Sequence, residues 1–211
     1  MEQTKHKIFR IDKFFMDLSR FLLLALIPVF RVKKIYVGSK EKIKSGVLIA
    51  ANHTGFKDPL ILETAFWTRR MFYVVAEVVM QNKIRNKFME GAGCIKIDRN
   101  IADTSAIKKC VSVLKEGFAL SIFPQGAISG NDAGFKSGVA LIASLAKVPI
   151  LPVYIEKRKN FFARQVVVIG EPFRISDYCD KKMPSVQDLE MVTEKLYEKY
   201  EECRQWTLKQ N

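Results

Sequence analysis

The chain is poor in the residues that staple or metallate small proteins. Its 211 residues include four cysteines and two histidines. Cys94, Cys110, Cys179 and Cys203 show no paired spacing and no companion histidines, so neither a disulfide framework nor a zinc site is expected. They read as reduced thiols of a cytosolic protein. Long apolar runs are missing too. Residues 21–30 form an apolar run of ten, whereas crossing a bilayer takes about 20. A secretory signal is not expected, because the basic region is too long and Arg31, Lys33 and Lys34 stand where a small-residue cleavage site belongs. No internal repeat, low-complexity tract, nucleotide-binding loop or RNA-binding aromatic motif occurs, and no serine or cysteine sits in a recognisable nucleophile motif.

What is present is an apolar, basic, globular chain. Hydrophobic residues make up 48% and the formal charge is +13, which is enough for one sizeable core and calls for a polyanionic partner. The first thirty residues choose between nucleic acid and an anionic membrane. Lys7, Arg10, Lys13, Asp17 and Arg20 recur at steps of three or four and form one polar stripe on a helix. Phe9, Ile11, Phe14, Phe15, Leu18, Phe21 and Leu22 fill the rest of its surface. A helix packed in the core is one reading of this pattern. The aromatic density and flanking cations favour a basic amphipathic helix lying in the membrane interface. We therefore expect residues 1–32 to form a membrane-associating helix and residues 33–211 a single domain, with anionic lipid rather than nucleic acid as the partner.

Beyond residue 32 the chain alternates. Apolar runs at 34–37, 47–51, 71–76, 94–98, 118–123, 150–155 and 165–169 read as strands. Helical patterns begin at Pro59 and near Ile84, after Asp103 as cap, at Lys136, and at a capping box of Ser185 and Asp188. Strands alternating with helices predict an α/β fold, a mixed, largely parallel central sheet covered by helices on both faces.

The stretch Ala51-Asn52-His53-Thr54-Gly55-Phe56-Lys57-Asp58-Pro59 joins a buried strand to a helix. A separation of five would turn His53 and Asp58 apart on one continuous helix. Across a strand–turn–helix the chain folds back, and a carboxylate that holds one imidazole nitrogen leaves the other as a base near neutral pH. The alternative is a buried histidine beside an aspartate that only caps the helix. Three more stretches stand at strand ends, where open α/β sheets gather ligands: Gly93-Cys94-Ile95-Lys96-Ile97-Asp98-Arg99, Phe123-Pro124-Gln125-Gly126-Ala127-Ile128-Ser129-Gly130, and Val148-Pro149-Ile150-Leu151-Pro152-Val153.

In this order the four stretches resemble the motifs of the glycerolipid acyltransferase family, which includes the lysophosphatidic acid acyltransferases. Asn52, His53 and Asp58 match the first motif; Gly93, Ile95, Ile97, Asp98 and Arg99 the second. Phe123, Pro124, Gly126 and Ser129 match the third; Val148, Pro149, Ile150, Pro152 and Val153 the fourth. Phe135, Lys136 and Gly138 match the helix that follows the third motif. The resemblance spans residues 35–170. Where the family carries Glu in its third motif this chain has Gln125, and where it carries Thr-Arg this chain has Ala127-Ile128. Ala76-Glu77-Val78-Val79-Met80 replaces an Ala-Lys-x-Glu-Leu segment, so two family cations are missing and an acid stands for one of them.

The resemblance implies acyl transfer from acyl-CoA or acyl-carrier protein to a lysolipid hydroxyl, on the cytoplasmic side of the cell membrane, with no bound cofactor or metal. In that scheme His53 is the general base and Asp58 orients it. Arg99 binds an acceptor phosphate; Asn52, Lys57, Gln125, Gly126, Ser129 and Lys136 line the substrate site. 1-Acylglycerol-3-phosphate is the acceptor implied, and the departures at Gln125 and Ile128 leave a non-phosphate acceptor or a non-catalytic lipid-binding protein as alternatives.

Overall fold

The computed structural model describes residues 13–24, 31–38, 43–98, 103–125, 135–158, 160, 163–179, 181 and 184–209. Helix α1 (Lys13–Leu24) comes first, then β1 (Lys33–Tyr36), β2 (Val47–Ala51), α2 (Asp58–Ala65) and β3 (Met71–Ala76). A 3-10 turn, Glu77–Met80, leads into α3 (Lys83–Gly91), followed by β4 (Cys94–Ile97), α4 (Thr104–Lys115), β5 (Ala119–Ile122), α5 (Gly138–Ala146), β6 (Ile150–Ile155) and β7 (Val166–Ile169). A second 3-10 turn, Ile175–Asp177, precedes the long α6 (Val186–Lys209). The two 3-10 turns were not expected from the sequence, since such short pieces leave no periodic pattern to read.

Among the described residues the strands form one sheet in the order β1-β7-β6-β2-β5-β3-β4. Five of them, β6 to β4 in that order, run parallel to their neighbours, β7 lies antiparallel to β6, and β1 is parallel to β7. The expected mixed, largely parallel sheet is therefore what the chain builds. Central β2 is buried along its whole length, as a strand covered on both faces must be. Its side chains alternate between two cores. Leu48 and Ala50 join Phe72, Leu120 and Ile150 under α4, α5 and α6, while Val47, Ile49 and Ala51 join Met71, Tyr73 and Val153 under α2.

The strand and helix ends follow their local chemistry. Asp103 accepts the Ala106 N–H at the start of α4, and Ser185 and Asp188 exchange the two hydrogen bonds of a capping box before α6. Gly46, just ahead of β2, approaches the Leu114 carbonyl so closely that a Cβ would sit 2.0 Å from its oxygen. Only glycine fits there.

Helix α1 is docked on this body, and its polar stripe does not face outward as a unit. Met16 and Ser19 are buried, Phe15 meets the ring of Phe88 edge-on at 5.8 Å, and Arg20 Nε donates to Glu63 Oε1 on α2 at 2.7 Å. Asp17 takes both ends of the Arg70 guanidinium, at 2.8 and 2.6 Å. The outward side of α1 is instead apolar: Phe14, Leu18, Phe21 and Leu22 are exposed at positions i, i+4, i+7 and i+8. The physical reason is that Glu63 is buried, and a buried carboxylate left without its cation would cost several kcal/mol, so Arg20 turns inward to it. Lys7, Arg10 and the rest of the expected membrane-associating segment at 1–12 and 25–30 lie outside the described residues.

Candidate active site

The site is built where β2 and β5, neighbours in the sheet, end side by side. His53 follows β2 and Gln125 follows β5. The His53 backbone N–H donates to Gln125 Oε1 at 3.2 Å, which ties the two strand-end loops together. The Phe123 ring stacks on the imidazole, centroids 4.4 Å apart and planes inclined by 19°.

Asp58 is the first residue of α2 rather than its cap. Lys57 holds the N-cap position and makes no side-chain capping bond, with Pro59 just inside the helix. The Asp58 carboxylate turns back on the preceding loop. Its Oδ2 accepts the Thr54 N–H at 2.5 Å and the Gly55 N–H at 2.9 Å, and Oδ1 accepts the Thr54 hydroxyl at 2.8 Å. The same Oδ2 lies 2.7 Å from His53 Nδ1. At 1% exposure this carboxylate is almost dry, so its position is set by these four donors. Engaging Nδ1 leaves Nε2 to exchange a proton with a ligand.

His53 lines a cavity of about 500 Å³. Its wall is mostly apolar, with Leu60 from α2, Val74 from β3, Val79 from the 3-10 turn, Met89 from α3 and Ile142 from α5. Lys136 and Asp98 are the charged residues of the lining. Tyr73, also in the wall, donates its hydroxyl to Glu63 Oε2 at 2.8 Å. Burial, followed by the Glu63 charge, holds this phenol well above the usual tyrosine range. The arrangement unites a proton acceptor with a greasy slot of the size that ligand pockets favour. Among the described residues no group of three or more His, Cys, Asp or Glu is placed to hold a metal ion.

The other expected site residues divide. Lys136 lines the cavity. Gln125, expected in the substrate site, accepts the His53 N–H and is not among the residues that line the cavity. Asn52 differs from expectation: its Nδ2 donates to the Ile155 carbonyl at 2.9 Å and its Oδ1 accepts the Ile155 N–H at 2.7 Å. Both ends of the amide are thus engaged in joining β2 to β6, because a buried amide beside an open strand end satisfies the backbone first. Lys57 is exposed on the loop before α2. Lys96, in the second of the four stretches, donates to Glu77 Oε1 at 2.8 Å, and that bond raises its pKa. Arg99, Gly126 and Ser129 lie outside the described residues. Sequence reasoning missed Phe123 as a stacking partner and Thr54 as a double donor to Asp58. It also missed the Arg20–Glu63–Tyr73 chain behind the cavity wall.

A strand-end histidine held by a carboxylate, over an apolar cavity in a largely parallel α/β sheet, is the arrangement expected from the four motifs. The acyltransferase family model matches residues 34–156, more than half of the chain, and the chain belongs to that family. It is 29% identical over 174 residues to the 1-acyl-sn-glycerol-3-phosphate acyltransferase of Bacillus subtilis, covering 80% of this chain and 86% of that protein. It is 31% identical over 169 residues to the enzyme of the same name from Streptococcus pneumoniae, covering 75% of this chain and 62% of that one. In fold it is similar to the crystal structure of the 1-acyl-sn-glycerophosphate acyltransferase of Thermotoga maritima, with a TM-score of 0.58 at 19% identity, over 90% of this chain and 82% of that one.

Proposed function

We propose that this enzyme transfers a fatty acyl group from a thioester, acyl-CoA or acyl-carrier protein, to the free hydroxyl of 1-acyl-sn-glycerol-3-phosphate, giving phosphatidic acid. The observation that carries the reading is the contact between His53 Nδ1 and Asp58 Oδ2 at the wall of an apolar cavity. It is supported by relatives that bear this activity in their names.

In this scheme the acceptor hydroxyl attacks the thioester carbonyl directly. His53 Nε2 takes the hydroxyl proton as the C–O bond forms, and Asp58 stabilises the imidazolium without itself being protonated. Collapse of the tetrahedral intermediate breaks the C–S bond, and the imidazolium returns its proton to the departing thiolate. The stacked Phe123 ring and the Gln125 hydrogen bond hold the imidazole in place. Lys136 at the cavity, and Arg99, Gly126 and Ser129, are assigned to acceptor binding, with Arg99 as the phosphate ligand because its forked donors fit that geometry.

No helix of the described residues is long and apolar enough to cross a membrane. The exposed stripe of Phe14, Leu18, Phe21 and Leu22 on α1 supports a monotopic attachment, and a net charge of +13 supports an anionic surface. We assign the enzyme to the cytoplasmic side of the cell membrane. A second reading, with a non-phosphate acceptor, rests on Ala127-Ile128 standing where the family carries Thr-Arg.

The test is incubation of the purified protein with radiolabelled acyl-CoA or acyl-carrier protein and a panel of lysolipids. Labelled phosphatidic acid from 1-acylglycerol-3-phosphate supports the first reading. Product only from lysolipids without a phosphomonoester establishes the second, and no labelled product from any acceptor removes both.

A further inference from the structure

The exposed face of α3 has no role in the chemistry above. Ile84 is 84% exposed and Phe88 57% exposed, and a spacing of four puts them on one side of the helix. Going round the helix, Lys87 comes about 80° before the centre of that pair and Arg85 about 80° after it, at 100° per residue. Both cations are exposed, as is Lys83 one turn back from Lys87. Asn82 accepts the N–H groups of Ile84 and Arg85 and so fixes the first turn that presents this face. An apolar ridge with a cation on each flank is the pattern of a helix lying at a lipid surface, where long basic side chains reach the headgroups while the ridge enters the acyl boundary.

Two contacts extend the ridge. Phe88 meets Phe15 of α1 edge-on, so α3 lies directly beside the helix that presents Phe14, Leu18, Phe21 and Leu22. Gly91, at the end of α3, approaches that Phe15 ring so closely that a Cβ would lie 2.5 Å from it. Just before α3, Val78 of the 3-10 turn is also exposed. The next residues on these same pieces turn inward: Val79 and Met89 are part of the cavity wall.

We propose that the Ile84–Phe88 face of α3 is a second lipid-contacting surface, inserting beside α1 into an anionic bilayer and bringing the Val79–Met89 wall of the cavity up to the membrane. This rests on the proposed attachment of α1. It adds a partner for α3, argued from the cations flanking its ridge and from its continuity with the α1 stripe. One helix face anchors the body loosely. Two adjoining faces fix its orientation, so that the site stands at a constant height over the lipid that holds its acceptor.

The test uses the full chain and sedimentation with vesicles of phosphatidylglycerol and phosphatidylcholine at low salt. Ile84→Glu replaces a side chain with almost no packing to lose, so its melting temperature should match the parent. Partitioning should fall about tenfold or more. Val186→Glu, an exposed apolar position on α6, should leave partitioning unchanged, and Arg85→Gln with Lys87→Gln should weaken binding most at low salt. As a direct readout, the indole of Ile84→Trp in a chain with Trp67→Phe and Trp206→Phe should be quenched by bromine-labelled lipid. Parental partitioning by Ile84→Glu with an unquenched indole in Ile84→Trp overturns the inference. If Phe14→Glu with Phe21→Glu still abolishes binding in that case, the proposed attachment through α1 stands alone. If the parent does not bind the vesicles at all, the attachment itself fails and the α3 surface with it.

Discussion

Gln125 Oε1 accepts the backbone N–H of His53 across the ends of two neighbouring strands, at 3.2 Å. A backbone N–H only donates, so the amide oxygen must face it, and the residue acts on the imidazole by holding its main chain. Gln125→Ala should remove this tie and lower kcat by about tenfold with little change in donor KM, consistent with loss of one positioning bond worth roughly 0.5–1.5 kcal/mol. Gln125→Glu keeps the acceptor but adds a charge beside the ring. An added anion favours protonated imidazole, which has no free base, so the acidic limb of the pH–rate profile should move up by on the order of one pH unit. A profile of kcat/KM against pH that overlays the parent would separate Gln125 from the base.

His53→Ala should cost on the order of 10²–10⁴ in turnover while the melting temperature stays near the parent's. Turnover within a few-fold of the parent would remove His53 from proton transfer.

Asp58→Asn should harm both rate and fold. The native carboxylate accepts from four donors, and an amide there turns its own NH2 towards some of them. About 1–3 kcal/mol of stability should go with the unmet donors. Chemical denaturation checks the loss, and an undiminished midpoint would show that the loop does not depend on this acceptor.

The Arg20–Glu63 pair joins α1 to the helix that carries Asp58. Glu63 is 4% exposed, so Arg20→Met alone should destabilise strongly, by about 3 kcal/mol. Pairing it with Glu63→Leu should recover most of the loss, because Tyr73 keeps the Pro59 carbonyl within 3.0 Å. A double-mutant cycle measures the coupling; additive losses would make the pair energetically idle.

Burial pushes the thiols of Cys94, Cys110 and Cys203 up to about 12. Unfolded, these groups ionise near the ordinary value of 9.0. Above pH 9 the unfolded chain therefore binds fewer protons than the native one, and stability falls as pH rises towards 12, by at most about 1.4 kcal/mol per pH unit for each thiol. Below pH 9 these groups contribute no slope. Melting curves from pH 8 to 11 should show a flat start and then a steep decline, and the buried Cys110 and Cys203 should resist iodoacetamide at pH 8 until the protein unfolds.

Much of this molecule was legible in local pattern. The run Val47-Leu48-Ile49-Ala50-Ala51 had to be a strand covered on both faces, and Asp103 and the Ser185–Asp188 box had to start helices, since those effects act within a few residues. His53 and Asp58 were readable as a possible pair because only a turn separates them. Yet the local rule that marked Asp58 as a cap misassigned its carboxylate, which accepts from the turn behind it while Lys57 holds the cap position.

The sequence by itself determined the α/β alternation, the motif order and the basic balance. The tertiary structure decided which strand ends share a crevice, because β5 inserts between β2 and β3 in the sheet and so brings Gln125 and Phe123 to His53. It decided that Asn52 serves Ile155, a partner 103 residues away, and that Arg20 serves Glu63. The physical reason is range. Periodicity and capping depend on neighbours along the chain, whereas strand order and the desolvation of a buried acid depend on the whole core, and no local pattern records them.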